Sequence, residues 1–235
     1  MAALTYKERS RLRDALILDA ALGIIEEHGR NGLQVVDVCR RAGCSNGAFY
    51  YRYRNREALL RALHAREVER VMHDAAAMFR SLNVRSGDLP SLMRAVVGQC
   101  AKWLERYHVL MSTFMQWGAD DAEMGNANEA VIGAIKDSFV ATLLARRAEF
   151  LHPRPARAAE SCFYVVFGAM SEVRGLRPGG AGKHRVRVSW DDLLADLPNM
   201  CLAILVAQGR TPQLARQPRG PVRTCRLPGA GPAAL

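Results

Sequence analysis

A dense group of cations and phenol hydroxyls lies between positions 50 and 56 of this 235-residue chain. Three arginines are interleaved there with three tyrosines: Tyr50, Tyr51, Arg52, Tyr53, Arg54 and Arg56. Guanidinium groups attract phosphate by charge and donate paired hydrogen bonds, and phenol hydroxyls are further donors. Short polar side chains, including Ser45 and Asn46, stand just before this group. These residue types indicate contact with a phosphate backbone, with base edges met by the polar residues.

These residues are positioned by two short helical patterns with a turn between them. The first pattern has apolar residues on one face, at Val35, Val38, Cys39 and Ala42. Gly43 permits the positive φ of a tight turn, and Ser45 is a suitable N-cap for the next helix. That second helix, about residues 45–51, buries Phe49 and presents a polar first turn. The layout is that of a helix-turn-helix, and the second helix is the predicted recognition helix.

Two further helices flank this pair. Upstream, apolar residues recur at helical spacing from Leu12 to Ile25, and Gly29 is placed to end that helix. Downstream, Asn55 caps a long pattern that carries Glu57 near its positive end. The sequence thus predicts a supporting helix before the helix-turn-helix and a long helix after it.

Residues of about 10 to 63 resemble the N-terminal domain of the TetR family of transcriptional regulators. The resemblance rests on a set of spaced motifs: Ala20-Ala21, Glu27-x-Gly29, Asp37-Val38, Ala42-Gly43-x-Ser45-x-Gly47, Tyr50-x-x-Tyr53 and Arg56-Glu57-x-Leu59-Leu60. This chain has Gln34, Tyr53 and Arg56 where the family usually has Thr, Phe and Lys. Arg56 keeps the charge of lysine but changes its hydrogen-bond geometry, and Gln34 is a poorer helix cap than threonine.

The resemblance also implies which residues contact DNA. By the family's pattern, Gly47, Tyr50 and Arg56 hold phosphates, while Ser45, Asn46 and Ala48 face the major groove. With the neighbouring basic and phenolic residues, the predicted DNA contacts are Gln34, Ser45, Asn46, Gly47, Ala48, Tyr50, Tyr51, Arg52 and Arg56.

The formal net charge of +10 is unevenly distributed. Residues 1–61 carry an excess of four positive charges, and the segments 174–187 and 210–235 each hold five basic residues and no acid. The rest of the chain is mildly acidic. A basic N-terminal region on an acidic body favours a nucleic-acid partner over a general affinity for membranes. The two basic segments have an alternative explanation, in which they are solvated, flexible chain and not part of a nucleic-acid contact.

No residue pattern typical of an enzyme or a metal site stands out. The six cysteines form no C-x-x-C pair and share no region with clustered histidines, so neither a zinc site nor a disulfide framework is expected. The histidines are scattered, and no G-x-S-x-G or H-E-x-x-H motif occurs. We therefore expect no catalytic residues, no metal and no cofactor. No signal sequence or transmembrane run is apparent, so a cytoplasmic location without a membrane partner is expected.

Downstream of the helix-turn-helix the periodicity remains helical, so the predicted fold is all-α. Helical patterns are predicted from Asn55 to about 83, over 90–104, 108–117 and 120–150, and then over 156–176 and 189–208. The predicted domains are a DNA-binding domain over 1–60 and a helical-bundle ligand-binding and dimerisation domain over 61–208. Residues 209–235, rich in Pro, Gly and Arg, form a tail that is predicted to be disordered.

The last two helical patterns carry more apolar residues than one buried stripe requires. This surplus indicates either a subunit interface or helices that are internal to one chain. The TetR resemblance implies the interface, because the last two long helices of such proteins usually form a four-helix dimer contact. The predicted interface residues are Phe163, Val166, Phe167, Met170, Leu194, Leu197, Cys201 and Leu205.

The middle helices are rich in methionine and aromatic residues, with a few polar side chains among them. Such residues line cavities for lipophilic ligands, and they also build ordinary cores. Since the resemblance implies an effector site in this region, the predicted pocket residues are Met72, Met93, Gln99, Trp103, Tyr107, Met111, Phe114, Met115, Trp117 and Phe139.

The sequence as a whole predicts a homodimeric regulator that represses transcription from an inverted-repeat operator on double-stranded DNA. A lipophilic small molecule bound in the body is expected to release it from the DNA. The alternative is a regulator of the same type with no small-molecule effector, controlled by a protein partner or by its own abundance. An enzyme is a remote third interpretation.

Overall fold

The computed structural model describes residues 5–82, 87–176 and 188–207, and within them the chain forms eight α-helices and no strand. The helices are α1 (Tyr6–His28), α2 (Val35–Ala42), α3 (Asn46–Arg52), α4 (Arg56–Leu82), α5 (Leu89–Asp120), α6 (Ala122–Leu144), α7 (Pro155–Val173) and α8 (Trp190–Val206). The all-α prediction is confirmed. The predicted tail at 209–235 and most of the basic segment 174–187 lie outside the described residues.

The first three helices form a small head whose boundaries are set by local capping. Gly43 ends α2 with φ 63°, and the Cys44 amide then donates to the Cys39 carbonyl at 3.0 Å, as a left-handed helix terminus requires. The Ser45 hydroxyl accepts from the Ala48 amide at 3.2 Å, so the predicted cap of the recognition helix is confirmed. Phe49 lies fully buried between the helices.

One long helix, α4, belongs to both the head and the body. It has 27 residues, a length of about 40 Å at 1.5 Å per residue. Asn55 caps it, as predicted, by accepting from the Ala58 amide at 2.8 Å. Its first turns bury Leu59 and Leu63, and its later turns bury Val71 and Phe79.

A buried carboxylate lies in the middle of α4. Glu67 is only 1% exposed, and its two oxygens are bound by Arg66 at 2.8 Å and by Arg70 at 2.5 Å. Arg66 also binds Asp19 of α1 at 2.7 Å. The burial of this charge is compensated by two cations, one of which ties the head to the linking helix.

The middle of the body differs from the sequence-based prediction. Patterns over 90–104 and 108–117 were expected to be separate helices, but α5 runs unbroken from Leu89 to Asp120. The charged residues near position 105 do not interrupt it, because Leu104, Tyr107 and Met111 stay on one buried stripe at helical spacing. The next predicted helix, over 120–150, is also shorter, since α6 ends at Leu144 and a single 3-10 turn follows.

The corner between α5 and α6 depends on two glycines that let the backbones approach closely. A Cβ placed on Gly118 would lie 3.0 Å from the Cα of Gly125, and one on Gly125 would lie 2.9 Å from the Gly118 carbonyl oxygen. Both distances are shorter than van der Waals contact with backbone atoms allows. Beyond this corner, α7 packs on α6 and α8, and α8 continues unbroken through Pro198 to pack on α5.

Replacement of Gly118 by alanine is expected to lower the free energy of unfolding by about 1–3 kcal/mol, because a backbone shift is needed to accept the methyl group. Gly98→Ala is the matched control: it lies in the same helix with no heavy atom within 4 Å of the added Cβ. There the better helix propensity of alanine should stabilise the protein by about 0.5–1 kcal/mol. Urea unfolding of both variants checks this, and equal shifts of the same sign would contradict the close approach.

Candidate DNA-binding surface and effector cavities

The recognition helix α3 presents an open polar face. Ser45, Asn46 and Gly47 are exposed around its first turn, and Tyr51 is 81% exposed. Tyr50 also lies largely in solvent, while Phe49 and Tyr53 point into the head. The predicted base-reading and phosphate-binding residues of this helix are thus accessible to a DNA ligand.

Two hydrogen-bonded pairs hold α3 against α1. Arg52 donates to the backbone carbonyl oxygen of Ser10 at 3.2 Å and to its hydroxyl at 3.1 Å. The Tyr53 hydroxyl donates to Asp14 at 2.5 Å. Burial, with the adjacent carboxylate, raises the pKa of Tyr53, so its proton stays in this bond. We call these two pairs the α1–α3 clamp; the sequence analysis did not foresee it, and it gives Arg52 a partner within the chain.

Three further predicted DNA contacts lie before, within and after α3. Gln34 precedes α2, is exposed, and makes no capping hydrogen bond with its side chain. Arg56 is half-buried at the first position of α4, and Ala48 is half-buried where α3 meets α1. Contact of these residues with DNA stays a prediction.

Cys39, near the C-terminal end of α2, has low chemical reactivity. Cys39 is buried in the head, and this burial, together with the neighbouring thiol of Cys44, raises the pKa of Cys39 to about 11. A thiol with such a pKa is protonated near neutral pH and is a weak nucleophile. Cys39 therefore acts as a small apolar core residue.

The body contains two small cavities that both use α4 as a wall. We call the first the distal cavity, because its α4 residues lie farther along the helix from the head. It is apolar throughout and is lined by Ala75, Met78, Phe79, Cys100, Trp103, Leu104, Ile135, Phe139, Phe163, Val166, Phe167 and Met170. The proximal cavity is lined by Val68, Val71, Met111, Phe114, Met115, Asn128, Val131 and Ile132.

Both cavities are nearly closed. Each has a volume of about 20 Å³, room for about one water molecule. Aromatic rings fill much of the distal region, where Phe163 stacks on Phe167 at 5.3 Å and meets Phe139 edge to face at 5.7 Å. An apolar molecule larger than water needs these side chains to move.

Of the ten predicted pocket residues, five line these two cavities and five lie at the surface or elsewhere in the core. Trp103 and Phe139 line the distal cavity, and Met111, Phe114 and Met115 line the proximal one. The other five line neither: Met72 is 37% exposed, Gln99 is half-buried, and Met93, Tyr107 and Trp117 are buried elsewhere in the core. Tyr107 instead donates to Asp74 of α4 at 2.5 Å.

Polar contacts join the proximal cavity to the part of α4 next to the head. Asn128 of α6 lines this cavity, donates to the Phe114 carbonyl at 2.8 Å and pairs with buried His64 of α4 at 2.9 Å. One turn earlier, Arg61 binds Asp121 at 2.9 Å and holds the pKa of that carboxyl below its usual value. These contacts connect α6 and the α5–α6 corner to the first turns of α4.

Most residues predicted for the dimer interface are buried within the single chain. Phe163, Val166, Met170, Leu197, Cys201 and Leu205 are all at most 2% exposed, and Phe167 and Leu194 are half-buried. The side chains of these six pack on the body of the same chain, and three of them line the distal cavity together with Phe167. Their part in a dimer interface stays a prediction. The outward faces of α7 and α8 carry exposed residues. Tyr164 of α7 is 64% exposed and Met200 of α8 is 52% exposed. Gly168 and Ala203, one helical turn farther along the same faces, are also exposed.

Within the described parts of the chain, no three His, Cys, Asp or Glu side chains are grouped so that they could hold a metal ion. None of the described helices combines the length and apolarity needed to cross a bilayer.

Comparisons with known proteins agree with this geometry. The family described as "Bacterial regulatory proteins, tetR family" matches residues 17–63, which span the core of the head and the start of α4. No curated protein matches the chain at a significant level.

Solved structures share the fold over most of the chain. A putative TetR-family regulator from Mesorhizobium loti MAFF303099 has a TM-score of 0.61 at 17% identity, covering 84% of this chain and 96% of its own. The fatty acid degradation regulator FadR from Bacillus halodurans has a TM-score of 0.52 at 21% identity, with 82% and 94% coverage. FadR from Bacillus subtilis, in complex with stearoyl-CoA, has a TM-score of 0.54 at 20% identity, with 83% and 98% coverage.

At these identities the structures establish the fold alone. The head, however, matches the family in sequence, and its exposed recognition helix has the arrangement that DNA binding requires. Residues 17–63 thus match the tetR family of bacterial regulatory proteins in sequence, and the chain shares the fold of TetR-family transcriptional regulators.

Proposed function

We propose that this protein is a homodimeric transcriptional repressor that leaves its operator when a molecule with a long apolar chain binds in its body. The main support is the shared use of α4. It contacts α1 of the head and buries Leu59 and Leu63 in its first turns, and its later turns form a wall of both cavities. A change in cavity size thus acts directly on the helix that carries the DNA-binding head.

The proposed DNA site is an inverted repeat. A two-fold dimer presents two α3 helices, and each enters one major groove with its exposed Asn46 and Tyr50. The two half-sites should then be one helical turn apart or slightly more, about 34–36 Å. The cations around α3 and α4 support this site by neutralising phosphates.

The proposed dimer interface is the outer face of α7 and α8, around Tyr164 and Met200. Large apolar side chains that remain exposed on two packed helices are typical of a surface that a second copy covers. The tetR-family arrangement, in which the last two helices of each subunit form a four-helix contact, supports the same face.

The proposed effector carries a long apolar chain, because the distal cavity is apolar throughout. One of its lining residues, Trp103, has an indole N–H. That N–H is buried and has no hydrogen-bond partner, so it is available to one polar atom of a ligand. The FadR structure with stearoyl-CoA supports an acyl chain as the ligand type. Entry requires Met78, Phe167 and Met170 to rotate outward, which presses on α4 and α7.

The small size of the cavities favours a second candidate function. Since each holds about one water molecule, the body also suits a regulator without a small-molecule effector. Such a protein would be controlled by a protein partner or by its abundance. Ligand titration separates the two candidates.

Asn46→Ala is expected to change which bases are preferred, with a loss of about 1–3 kcal/mol at one position of each half-site, if its amide makes a paired contact to a base edge. Tyr50→Phe is the comparison variant, because loss of a phosphate-binding hydroxyl should weaken binding to all sequences alike. Both side chains are exposed, so folding should be unaffected. Selection of bound sequences from a random duplex pool measures both effects, and an unchanged preference in Asn46→Ala would remove it from base reading.

Stearoyl-CoA is expected to raise the melting temperature, change the tryptophan emission and release the protein from its operator. Trp103→Phe should abolish most of the emission change because Trp103 lines the distal cavity. Trp117→Phe should retain it, since Trp117 lies 14 residues farther along α5, about 21 Å at helical rise. Free coenzyme A is the ligand control. Binding that leaves the operator complex intact, or no binding of acyl chains at all, would place the effector-free candidate first.

Met200→Glu is expected to convert the dimer into a monomer. Each subunit of a two-fold dimer would contribute one glutamate to the apolar contact, so two like charges would be buried there. Met72→Glu makes the same chemical change at an exposed site of α4 and should leave the dimer intact. Sedimentation or light scattering at several protein concentrations reads out both variants. A dimeric Met200→Glu protein would exclude this face as the interface.

A further inference from the structure

A shallow cationic groove runs between α1 and α3. Two adjoining hollows form it, each of about 460 Å³, and both are lined by Arg9, Arg13 and Ala48. The first continues along Tyr51, and the second extends to the turn before Ser45. We call the whole feature the α1–α3 groove. Unlike the closed cavities of the body, it is open to solvent and large enough for a group the size of a nucleotide.

Among the residues that the structure describes, none neutralises the positive charge of this groove. Arg9 and Arg13 are exposed, and over residues 5–82, 87–176 and 188–207 neither forms an ion pair. The arginines of α2 differ in this respect, because Arg40 binds Asp37 and Arg41 binds Glu27, both at 2.8 Å. No acidic residue lines either hollow. Two unpaired guanidinium groups on one surface form an attractive site for an extended anion.

The α1–α3 clamp fixes where these cations lie relative to the recognition helix. Ser10 and Asp14 of the clamp each directly follow one of the two arginines in sequence. Arg9 and Arg13 are four residues apart and therefore stand on the same face of α1, one turn from each other. Because the clamp holds α1 to the end of α3, the backbone positions of both arginines stay beside the DNA-reading face.

The groove borders the DNA-reading face of α3 directly. Tyr51 belongs to both, since it lines the groove and stands one helical turn from Gly47 on the exposed side of α3. When a recognition helix enters the major groove, the phosphates that border that groove run along its flank. On this flank the chain offers Arg9 and Arg13, with the phenol of Tyr6 at the outer end.

We propose that the α1–α3 groove receives the sugar-phosphate strand bordering the major groove, with Arg9 and Arg13 each neutralising one phosphate. The proposal rests on the proposed DNA-binding function and extends its contact surface onto α1. Both arginines precede residue 17, where the family match begins. They are therefore a feature of this chain that the matched segment does not contain.

The test compares Arg9→Ala, Arg13→Ala and the double variant with Arg11→Ala in the full-length protein. Arg11 is exposed and lies on the same helix, but it lines neither hollow, so it removes equal charge from a different face. Affinity for the operator duplex and for an unrelated duplex is measured over a series of salt concentrations. Each lost phosphate contact should make the slope of log affinity against log salt shallower by about one.

The double variant is expected to bind both duplexes at least about tenfold more weakly at low salt, with a slope shallower by about two. Arg11→Ala should match the wild type in slope, and thermal unfolding of all variants should be unchanged. A double variant with the wild-type slope, or an Arg11→Ala protein with the same loss, would overturn the groove proposal while leaving the DNA-binding function intact. A wild-type protein that binds no duplex would overturn both.

Discussion

The structure depends on one continuous helix that runs from the head into the body. The buried residues of α4 pack along a single hydrophobic core that extends through both. Between them lies Glu67, a buried carboxylate held by Arg66 and Arg70. Because a helix resists bending over two or three turns, the orientation of the head is set by what packs along the other end of this rod. DNA recognition and core packing are therefore mechanically joined in a single element.

Local sequence signals predicted the head well, because capping and turn chemistry act over a few residues. Gly43, Ser45 and Asn55 ended and began helices where their φ preference and side-chain oxygens required. The clamp between α1 and α3 was missed, since Ser10 and Asp14 lie about forty residues from Arg52 and Tyr53. A tyrosine in place of the usual phenylalanine at position 53 was the available signal.

The body shows where sequence periodicity stops being informative. Apolar spacing identified α7 and α8 but could not tell which of their two apolar faces meets the chain's own core. The more strongly apolar face, with Phe163 and Leu197, turned inward, and the sparser one, with Tyr164 and Met200, remained exposed. The same limit applies to the middle helices, where the residues predicted to line one pocket are distributed over two cavities, the solid core and the surface.

The closed state of the distal cavity determines how an acyl-binding form of this protein responds to concentration. Rotating Phe167 and the flanking methionines outward gives up ring stacking and dispersion contacts, so the ligand-ready conformation is a minor population. Apparent affinity is reduced by that population fraction. Short acyl chains bury too little apolar area to offset the free energy of opening the cavity. Each added methylene contributes about 0.8 kcal/mol of favourable binding free energy. Under the proposal of an acyl-chain effector, this tight packing would favour long chains over small apolar metabolites.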